Sequence, residues 1–236
     1  MTGILVLTKI GGKMKIISSL LITIFVIMST AVKADSSGTK VALVPGGPHP
    51  YFAAWEQAGL DAVKDFGLGK ADYRVPAEWD LSQQTELIES LVGQGYNAVL
   101  VFPGDAVGTN KILGELDDAG IPTAALAGCV EQPTQAKFCF GTDTGHSAYL
   151  GTKELIKALG GKGKIAHFTG FLVDPNTTLR INAVEQAVAE AGGGVEIIQV
   201  IADIDAYDQQ MKDYAFMAAQ ALRLMVLLLL LGFQLS

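Results

Sequence analysis

Aromatic side chains and a histidine follow directly on the apolar run 41–44, in the stretch PGGPHPYFAAW at residues 45–55. Its glycines do not form G-x-G-x-x-G, and its prolines lack the amide donors that a phosphate cradle uses, so the stretch disfavours nucleotide binding. Aromatic rings instead stack well on the C–H faces of a sugar. Tyr51, Phe52 and Trp55 are therefore candidate contacts to a sugar-like ligand.

Isolated acidic and amide side chains occur in later loops, where they can exchange hydrogen bonds with ligand hydroxyl groups. Each candidate also has a simpler interpretation. The three aromatic residues can form the inner face of the first helix, and Asp105 and Asn176 can be helix caps only. The candidates, including one more tryptophan, are Glu78, Trp79, Asp105, Asp143, Asp174 and Asn176.

The sequence contains only fragments of the motifs that enzymes use for catalysis. The tripeptide DTG at 143–145 surrounds the carboxylate of aspartic proteases, but such enzymes need two carboxylates that share a proton, and no second copy occurs. No serine lies in G-x-S-x-G, and His49, His146 and His167 lack metal-ligand spacing. We therefore predict a binding protein without a metal or cofactor, and a secreted hydrolase remains the distant alternative.

Around these candidates, segments with strand-like and helix-like patterns alternate along the chain. The strand-like runs are nearly all apolar, which is typical of strands buried on both faces, and their order predicts a doubly wound, parallel α/β sheet. Ligands bind such sheets at the loops that follow the strands. The predicted strands are 41–44, 71–75, 97–102, 121–126, 137–140, 163–168 and 195–201, and the predicted helices are 51–66, 80–94, 106–119, 145–159, 177–191 and 206–222.

Helix ends are marked by residues that suit them. Glycine accepts the left-handed conformation at a helix C-terminus, and short polar side chains cap an N-terminus. Asp80, Thr144 and Asn176 are the predicted N-caps. The predicted stops are Gly67, Gly95, Gly120, Gly160 and Gly192.

The N-terminal region has the pattern of a secretory signal peptide, residues 1–34, cut before Asp35. Its own methionine is Met14, so 1–13 can reflect a start codon assigned too early. The alternative is a membrane anchor, but the apolar stretch is about thirteen residues, short of the roughly 20 that span a bilayer. After removal of 1–34 the chain has 13 basic and 24 acidic residues, and this acidity disfavours nucleic acid as a partner.

Cys129 and Cys139 are the two cysteines of the chain. Disulfides persist in exported proteins, so we expect these residues to pair. Two buried free thiols or a metal pair are the alternatives, and a metal pair would need further ligands that the sequence does not offer.

The order of motifs resembles the periplasmic sugar-binding proteins of ABC transporters, of the ribose- and autoinducer-binding type. The resemblance implies a two-lobed periplasmic-binding-protein fold with doubly wound parallel sheets, a first lobe over 38–142 and a partial second lobe over 143–222, so that the second lobe is incomplete. The motifs are the leader, HPYF, LIESLVGQGYNAVLVFPGDAVG, AGIP, GTDTGHSAYLGTKELI and FLVDPNTTLRINAVEQAVAEAGG.

By position in these motifs, His49, Tyr51 and Phe52 match the family's sugar contacts. Ala127 and Gly128 stand where ribose binders carry an Asp-Arg pair, and Thr178 stands where they carry arginine, which argues against ribose. Asp105 and Asp143 are further candidate hydroxyl acceptors. The expected ligand-binding set is His49, Tyr51, Phe52, Asp105, Asp143, Asn176 and Thr178.

The resemblance also implies a monomer in the periplasm that carries a monosaccharide or polyol to the membrane permease of an ABC importer. A sensor that binds a signalling furanose for a chemoreceptor is the alternative function. The segment 223–236 departs from the family, since its run LMVLLLLLGF replaces the remainder of the second lobe. A truncated or frameshifted product, which would be a non-functional remnant, is one explanation, and a tail anchor is another.

Overall fold

The computed structural model describes residues 35–204. Within this range the chain forms two parallel sheets with flanking helices, which confirms the predicted α/β class. The predicted signal peptide 1–34, the predicted helix 206–222 and the apolar tail 223–236 lie outside the described residues.

The first sheet has five strands, which are β1 (Lys40–Val44), β2 (Lys70–Tyr73), β3 (Ala98–Val101), β4 (Thr123–Leu126) and β5 (Cys139–Phe140). All neighbours are parallel, and the order across the sheet is β2-β1-β3-β4-β5. The order places the carboxyl ends of all five strands at one edge, so the loops after β1, β2, β3 and β4 come together there.

Three helices connect these strands, namely α1 (Ala54–Phe66), α2 (Leu81–Gly93) and α3 (Thr109–Asp118). α2 and α3 pack on one face of the sheet, where Ile88 and Leu113 are fully buried with Val99. Burial of each such side chain stabilises the fold by about 1.5–3 kcal/mol. α1 lies on the opposite face, where Gly59 lets the helix approach Leu43 and Ala71 closely.

The second sheet is built from two parallel strands, β6 (Gly163–Phe168) and β7 (Val195–Ile201), with helices α4 (Thr144–Ala158) and α5 (Pro175–Ala189). Ile156 of α4, Ala187 of α5 and Ile165 of β6 form its core with Val195. We call residues 40–140 the first lobe and residues 144–201 the second lobe.

The predicted helix stops agree with the backbone, since Gly67, Gly95, Gly120, Gly160 and Gly192 all have φ between 66° and 84°. The cap prediction is correct for Asp80, whose carboxylate accepts from the Gln83 N–H.

Two other N-cap predictions are wrong. Asp143 caps α4, one residue before Thr144, and Asp174 caps α5, two residues before Asn176. In both cases an aspartate precedes the predicted cap, and its carboxylate accepts from a backbone N–H of the first turn. A charged acceptor also interacts favourably with the positive end of the helix dipole.

Burial differs between central and edge strands. β4 is mostly buried, whereas Phe140 of β5 is 74% exposed and β7 is largely exposed or half-buried. The expectation that the strands are buried on both faces is therefore wrong for β5 and β7, and also for β2, where only Ala71 is buried. In the first sheet this follows from position, because β2 and β5 are its two edge strands in the described chain. The predicted disulfide joins Cys129 to Cys139 and ties β5 to the loop after β4.

Candidate functional site

Aromatic rings cluster at the carboxyl edge of the first sheet, around Phe52. This side chain is 2% exposed, and its ring centroid lies 5.2 Å from Tyr51, 5.1 Å from Trp55 and 5.0 Å from Phe102. Tyr51, by contrast, is 49% exposed. Phe52 therefore supports the cluster from within, and Tyr51 offers an open aromatic surface.

The loop 45–50 reaches this position because its glycines allow close packing on Trp79. A Cβ on Gly47 would lie 2.7 Å from the Trp79 Cα, and a Cβ on Gly46 would lie 2.7 Å from the Gly104 Cα. Real Cβ atoms do not come so close, so only glycine fits at both positions. The Trp79 indole N–H donates to the Gly104 carbonyl at 2.9 Å, which joins the loops after β1, β2 and β3.

Gln84 of α2 joins two of these loops, those after β1 and β3. It is 1% exposed, and its amide nitrogen donates to the carbonyls of Pro45 at 2.9 Å and Phe102 at 2.8 Å. Its amide oxygen accepts from the Gly104 N–H at 3.1 Å. The sequence analysis did not identify Gln84, although its place on the buried face of α2, four residues before Ile88, was a usable signal.

His49 stabilises the end of the loop 45–50. Its Nδ1 accepts from the Tyr51 N–H at 3.2 Å and so caps the short 3-10 turn Pro50–Phe52. Its ring also meets the edge of Phe52, with centroids 5.9 Å apart. These contacts orient Tyr51 and Phe52 at the end of the loop.

The predicted polar contacts Asp105, Asp143 and Thr178 differ in their hydrogen bonds and positions. Asp105 accepts from the N–H groups of Val107 and Gly108 at 2.9 and 2.6 Å, so its carboxylate holds its own loop. Asp143 caps α4 and is exposed. Thr178 is exposed on α5.

Asn176 links the two lobes. Its amide nitrogen donates to the Ala127 carbonyl of the first lobe at 3.0 Å, and its amide oxygen accepts from the Thr144 hydroxyl at 3.2 Å. Asn176 is buried, so these are hydrogen bonds in a largely dehydrated position. The side chain therefore joins the first turn of α5, the start of α4 and the loop after β4.

The loop after β6 faces the aromatic cluster from the second lobe. The Phe171 ring lies 5.4 Å from the Trp79 ring at an interplanar angle of 38°. The Ala106 N–H donates to the Val173 carbonyl at 3.0 Å. Phe171 was absent from the predicted contacts because no local pattern shows that its loop meets the loop after β2.

Charged groups lie beside this contact on the second lobe. Burial lowers the pKa of Arg180, and the charges of Asp174 and Tyr51 oppose that shift. Burial also raises the pKa of the Asp174 carboxyl, against the hydrogen bond from the Asn176 N–H and the charge of Arg180. Arg180 therefore interacts electrostatically with Asp174 of the second lobe and with Tyr51 of the first lobe.

Arg180 was also missed in the sequence. A signal was present, because it is the only lysine or arginine between Lys164 and Lys212. A single basic residue on a helix of otherwise neutral and acidic residues made Arg180 a candidate for the site.

Gly128 explains why an Asp-Arg pair is absent from positions 127 and 128. A Cβ on Gly128 would lie 2.8 Å from the Phe102 ring and 3.0 Å from the Pro175 ring. A side chain cannot enter this space without displacing the first turn of α5. The first lobe thus meets the second through backbone at this position.

Neither a metal-ligand cluster nor a membrane-spanning helix is found in residues 35–204. In this range no set of three or more His, Cys, Asp and Glu side chains is arranged to hold a metal ion. None of the helices in the same range is long and apolar enough to cross a membrane.

Each relative found by sequence matches a larger share of this chain than the share of its own length that the match covers. A Rhizobium meliloti protein named for rhizopine binding is 25% identical over 187 residues, which is 74% of this chain and 56% of that protein. An ABC transporter periplasmic-binding protein of Escherichia coli (strain K12), YphF, is 26% identical over 100 residues, 42% of this chain and 28% of that protein. The chain therefore spans about half or less of these relatives' length.

Solved structures share the fold at low identity. A solute-binding protein of an ABC transporter from Burkholderia graminis C4D1M, in complex with D-arabinose, matches with a TM-score of 0.72 at 20% identity, over 79% of this chain and 64% of that one. The arabinose-transporter binding protein of Shewanella sp. ANA-3, bound to L-arabinofuranose, gives 0.70 at 16%, over 78% and 62%. The family model described as periplasmic binding protein domain matches residues 41–222, and the chain belongs to this family.

Proposed function

We propose that this chain is the solute-binding component of an ABC sugar importer. It captures a monosaccharide or related polyol in the periplasm and delivers it to the membrane permease, without covalent chemistry. The observation that carries the proposal is the contact of the first lobe's aromatic cluster with Phe171 of the second lobe, where the Trp79 and Phe171 ring centroids lie 5.4 Å apart. Membership of the periplasmic binding protein family and the sugar complexes of the matched structures support it.

Stacking would supply the apolar part of the affinity. Tyr51 and Trp79 on the first lobe and Phe171 on the second present ring surfaces at the same edge. A pyranose or furanose ring has C–H faces that pack on such rings, and closure of the lobes around it excludes water. Phe52 contributes indirectly because it is buried beneath these rings.

Hydrogen bonds would supply specificity. Arg180 is the candidate cationic donor of the site, and Asp174 is a candidate carboxylate acceptor. The two opposite charges act on each other electrostatically, which partly compensates both when a neutral polyol binds. The Ala127–Gly128 backbone leaves no room for the Asp-Arg pair of ribose binders, which favours a sugar other than ribose.

Isothermal titration calorimetry with a panel of pentoses, hexoses and inositols tests the proposal. We expect heat of binding for one class, with no product detected after prolonged incubation. Product formation would replace the proposal with an enzymatic function. The Phe171→Ala variant should weaken binding about tenfold, equivalent to 1.4 kcal/mol, because it removes the second lobe's ring.

Phe138→Ala is the matched control, since Phe138 is an exposed ring that precedes β5, away from the loops of the cleft. Equal losses in both variants would contradict a site between the lobes. Osmotic-shock fractionation of expressing cells tests the periplasmic location, and retention of the chain in the cytoplasm would contradict it.

A further inference from the structure

The two lobes meet beside the segment through which the chain passes from one to the other. Within residues 35–204 the chain leaves β5 and enters α4 through residues 141–143. Asn176 of α5 lies beside this crossing, since its amide contacts both Thr144, at the start of α4, and Ala127, after β4. We call residues 127–128, 141–144 and 175–176 the lobe junction.

Close backbone contacts hold the lobe junction together. A Cβ on Gly141 would lie 2.9 Å from the Ala127 Cα, and a Cβ on Gly128 would lie 3.0 Å from the Pro175 ring. The crossing therefore packs against the loop after β4, and this loop packs against the first turn of α5.

Ala127 holds an unusual backbone conformation in the lobe junction. Its φ is 62°, in the left-handed region that residues with a Cβ rarely adopt. Its N–H donates to the Phe140 carbonyl at 2.7 Å, and its carbonyl accepts from the Asn176 amide at 3.0 Å. Such a conformation persists only where the surrounding structure holds it, and residues of this kind cluster at functional sites. The carbonyl of Ala127 is therefore a fixed acceptor for the second lobe.

Asn176 suits this acceptor because its own amide is held in place. The side chain is 9% exposed, and the Thr144 hydroxyl donates to its amide oxygen at 3.2 Å, which orients the amide nitrogen toward Ala127. A buried donor that loses its partner is costly, so the bond to Ala127 stabilises the observed arrangement of the lobes.

The position of Asn176 also bears on the cleft. Phe171 lies in the loop directly before α5, and Arg180 lies in the second turn of that helix. Because Asn176 fixes the first turn of α5 to the first lobe, it sets where these two side chains stand relative to the aromatic cluster.

We propose that Asn176 is a positioning residue that sets the arrangement of the two lobes before a ligand enters. Loss of its bond to Ala127 shifts the lobes toward arrangements in which the Trp79 and Phe171 rings separate. One such hydrogen bond changes an equilibrium constant by about fivefold, which is large enough to measure. The proposal concerns the protein without ligand, so a failure to bind sugar in calorimetry would refute the proposed function and leave this inference standing.

Double electron–electron resonance on the full, ligand-free chain tests the proposal. Spin-labelled unnatural amino acids at the exposed positions Glu89 of α2 and Glu185 of α5 report the distance between the lobes and leave the disulfide intact. The decisive variant is Asn176→Asp at pH 8, because an ionised carboxylate still accepts from Thr144 but cannot donate to the Ala127 carbonyl. We expect the population outside the parent's main distance to rise about fivefold, and an unchanged distance distribution would overturn the proposal.

Matched variants separate positioning from loss of stability. Thr144→Val removes a hydrogen bond within the second lobe and keeps the amide donor to Ala127, so stability in urea should fall while the distances stay those of the parent. Asn182→Ala removes an exposed amide from the same helix and should change neither. Asn176→Ala removes the donor without adding a charge, and it carries the same expectation as Asn176→Asp if circular dichroism shows the latter to be unfolded. Distances that widen as much in Thr144→Val as in the Asn176 variants would show a role in second-lobe stability alone and would overturn the proposal.

Discussion

The stability of the second lobe should fall as the pH drops below 6.5, because of His167. This side chain on β6 is 1% exposed, and neither ring nitrogen has a hydrogen-bond partner among residues 35–204. Burial, with a smaller contribution from the positive charge of Arg180, lowers the pKa of His167 from 6.5 to about 4. Between pH 6.5 and about 4, His167 is therefore mostly protonated in the unfolded chain and mostly neutral in the folded chain.

The direction and magnitude of the change in the free energy of unfolding follow from this difference in the pKa of His167. Between pH 6.5 and about 4 the unfolded state binds more protons at this site than the folded state, so the free energy of unfolding decreases as pH falls. Each pH unit across the window costs up to 1.36 kcal/mol, which amounts to about 2 kcal/mol at pH 5 and about 3 kcal/mol below pH 4. Above pH 6.5 the site has no effect on the pH dependence.

His167→Phe isolates the effect, since it keeps an aromatic ring of similar shape and cannot be protonated. Urea unfolding followed by far-UV circular dichroism, which reports the helices of both lobes, at pH 7.5, 6.0 and 5.0 gives the free energy of unfolding at each pH. We expect the loss between pH 7.5 and 5.0 to be about 2 kcal/mol smaller in His167→Phe than in the parent chain. The exposed His146→Gln variant is the control and should behave like the parent.

At pH 5.0 and above, Glu190 does not contribute to the pH dependence of stability. Tyr149, Gln186 and Lys153 hydrogen-bond to Glu190 and lower its pKa from 4.5 to about 2, so that carboxylate affects stability only below pH 4.5. Asp174 has a raised pKa, and its contribution opposes that of His167 because protonation favours its folded form. Identical pH dependence in the parent and His167→Phe would refute the assignment to His167.

Three further outcomes follow from single contacts. Gln84→Met should lower the free energy of unfolding by about 2–3 kcal/mol in urea titrations, because it leaves two buried carbonyls and one N–H unpaired; a loss no larger than that of the exposed Gln94→Met would contradict this role. Gly47→Ala should lower the melting temperature and weaken sugar binding together, because its Cβ must displace Trp79; unchanged calorimetry would show that the loop adapts. In Glu190→Gln, the loss of stability between pH 4.5 and 2 should diminish, since the lowered pKa of this carboxyl contributes stability that acid removes; acid titration by circular dichroism measures it, and a profile equal to the parent's would contradict it.

Much of the element order was predictable because it depends on local patterns. Apolar runs place the strands, and Gly67 or Gly120 ends a helix by adopting a left-handed conformation that other residues avoid. Caps were less predictable. Asp143 and Thr144 both carry suitable side chains, and only the first helical turn decides which oxygen meets the N–H at position 146.

The candidate site was predictable only in part. The loop with Tyr51 and Phe52 follows an apolar strand, so its place at the carboxyl edge follows from the order of elements. Sequence alone did not separate the buried Phe52 from the exposed Tyr51, nor did it reveal that His49 caps their turn. These distinctions depend on which ring Trp79 and Phe102 leave open to solvent.

The sequence by itself indicated the parallel α/β class, the glycine-marked helix ends and the pairing of the two cysteines, because each depends on residue type and short spacing. Only the tertiary structure decided that Phe171 meets Trp79, that Arg180 interacts electrostatically with Asp174 and Tyr51, and that Gln84 joins the loops after β1 and β3. These partners are separated by up to 129 positions in the chain, from Tyr51 to Arg180, and no local rule specifies an interaction that forms only when two lobes fold and meet.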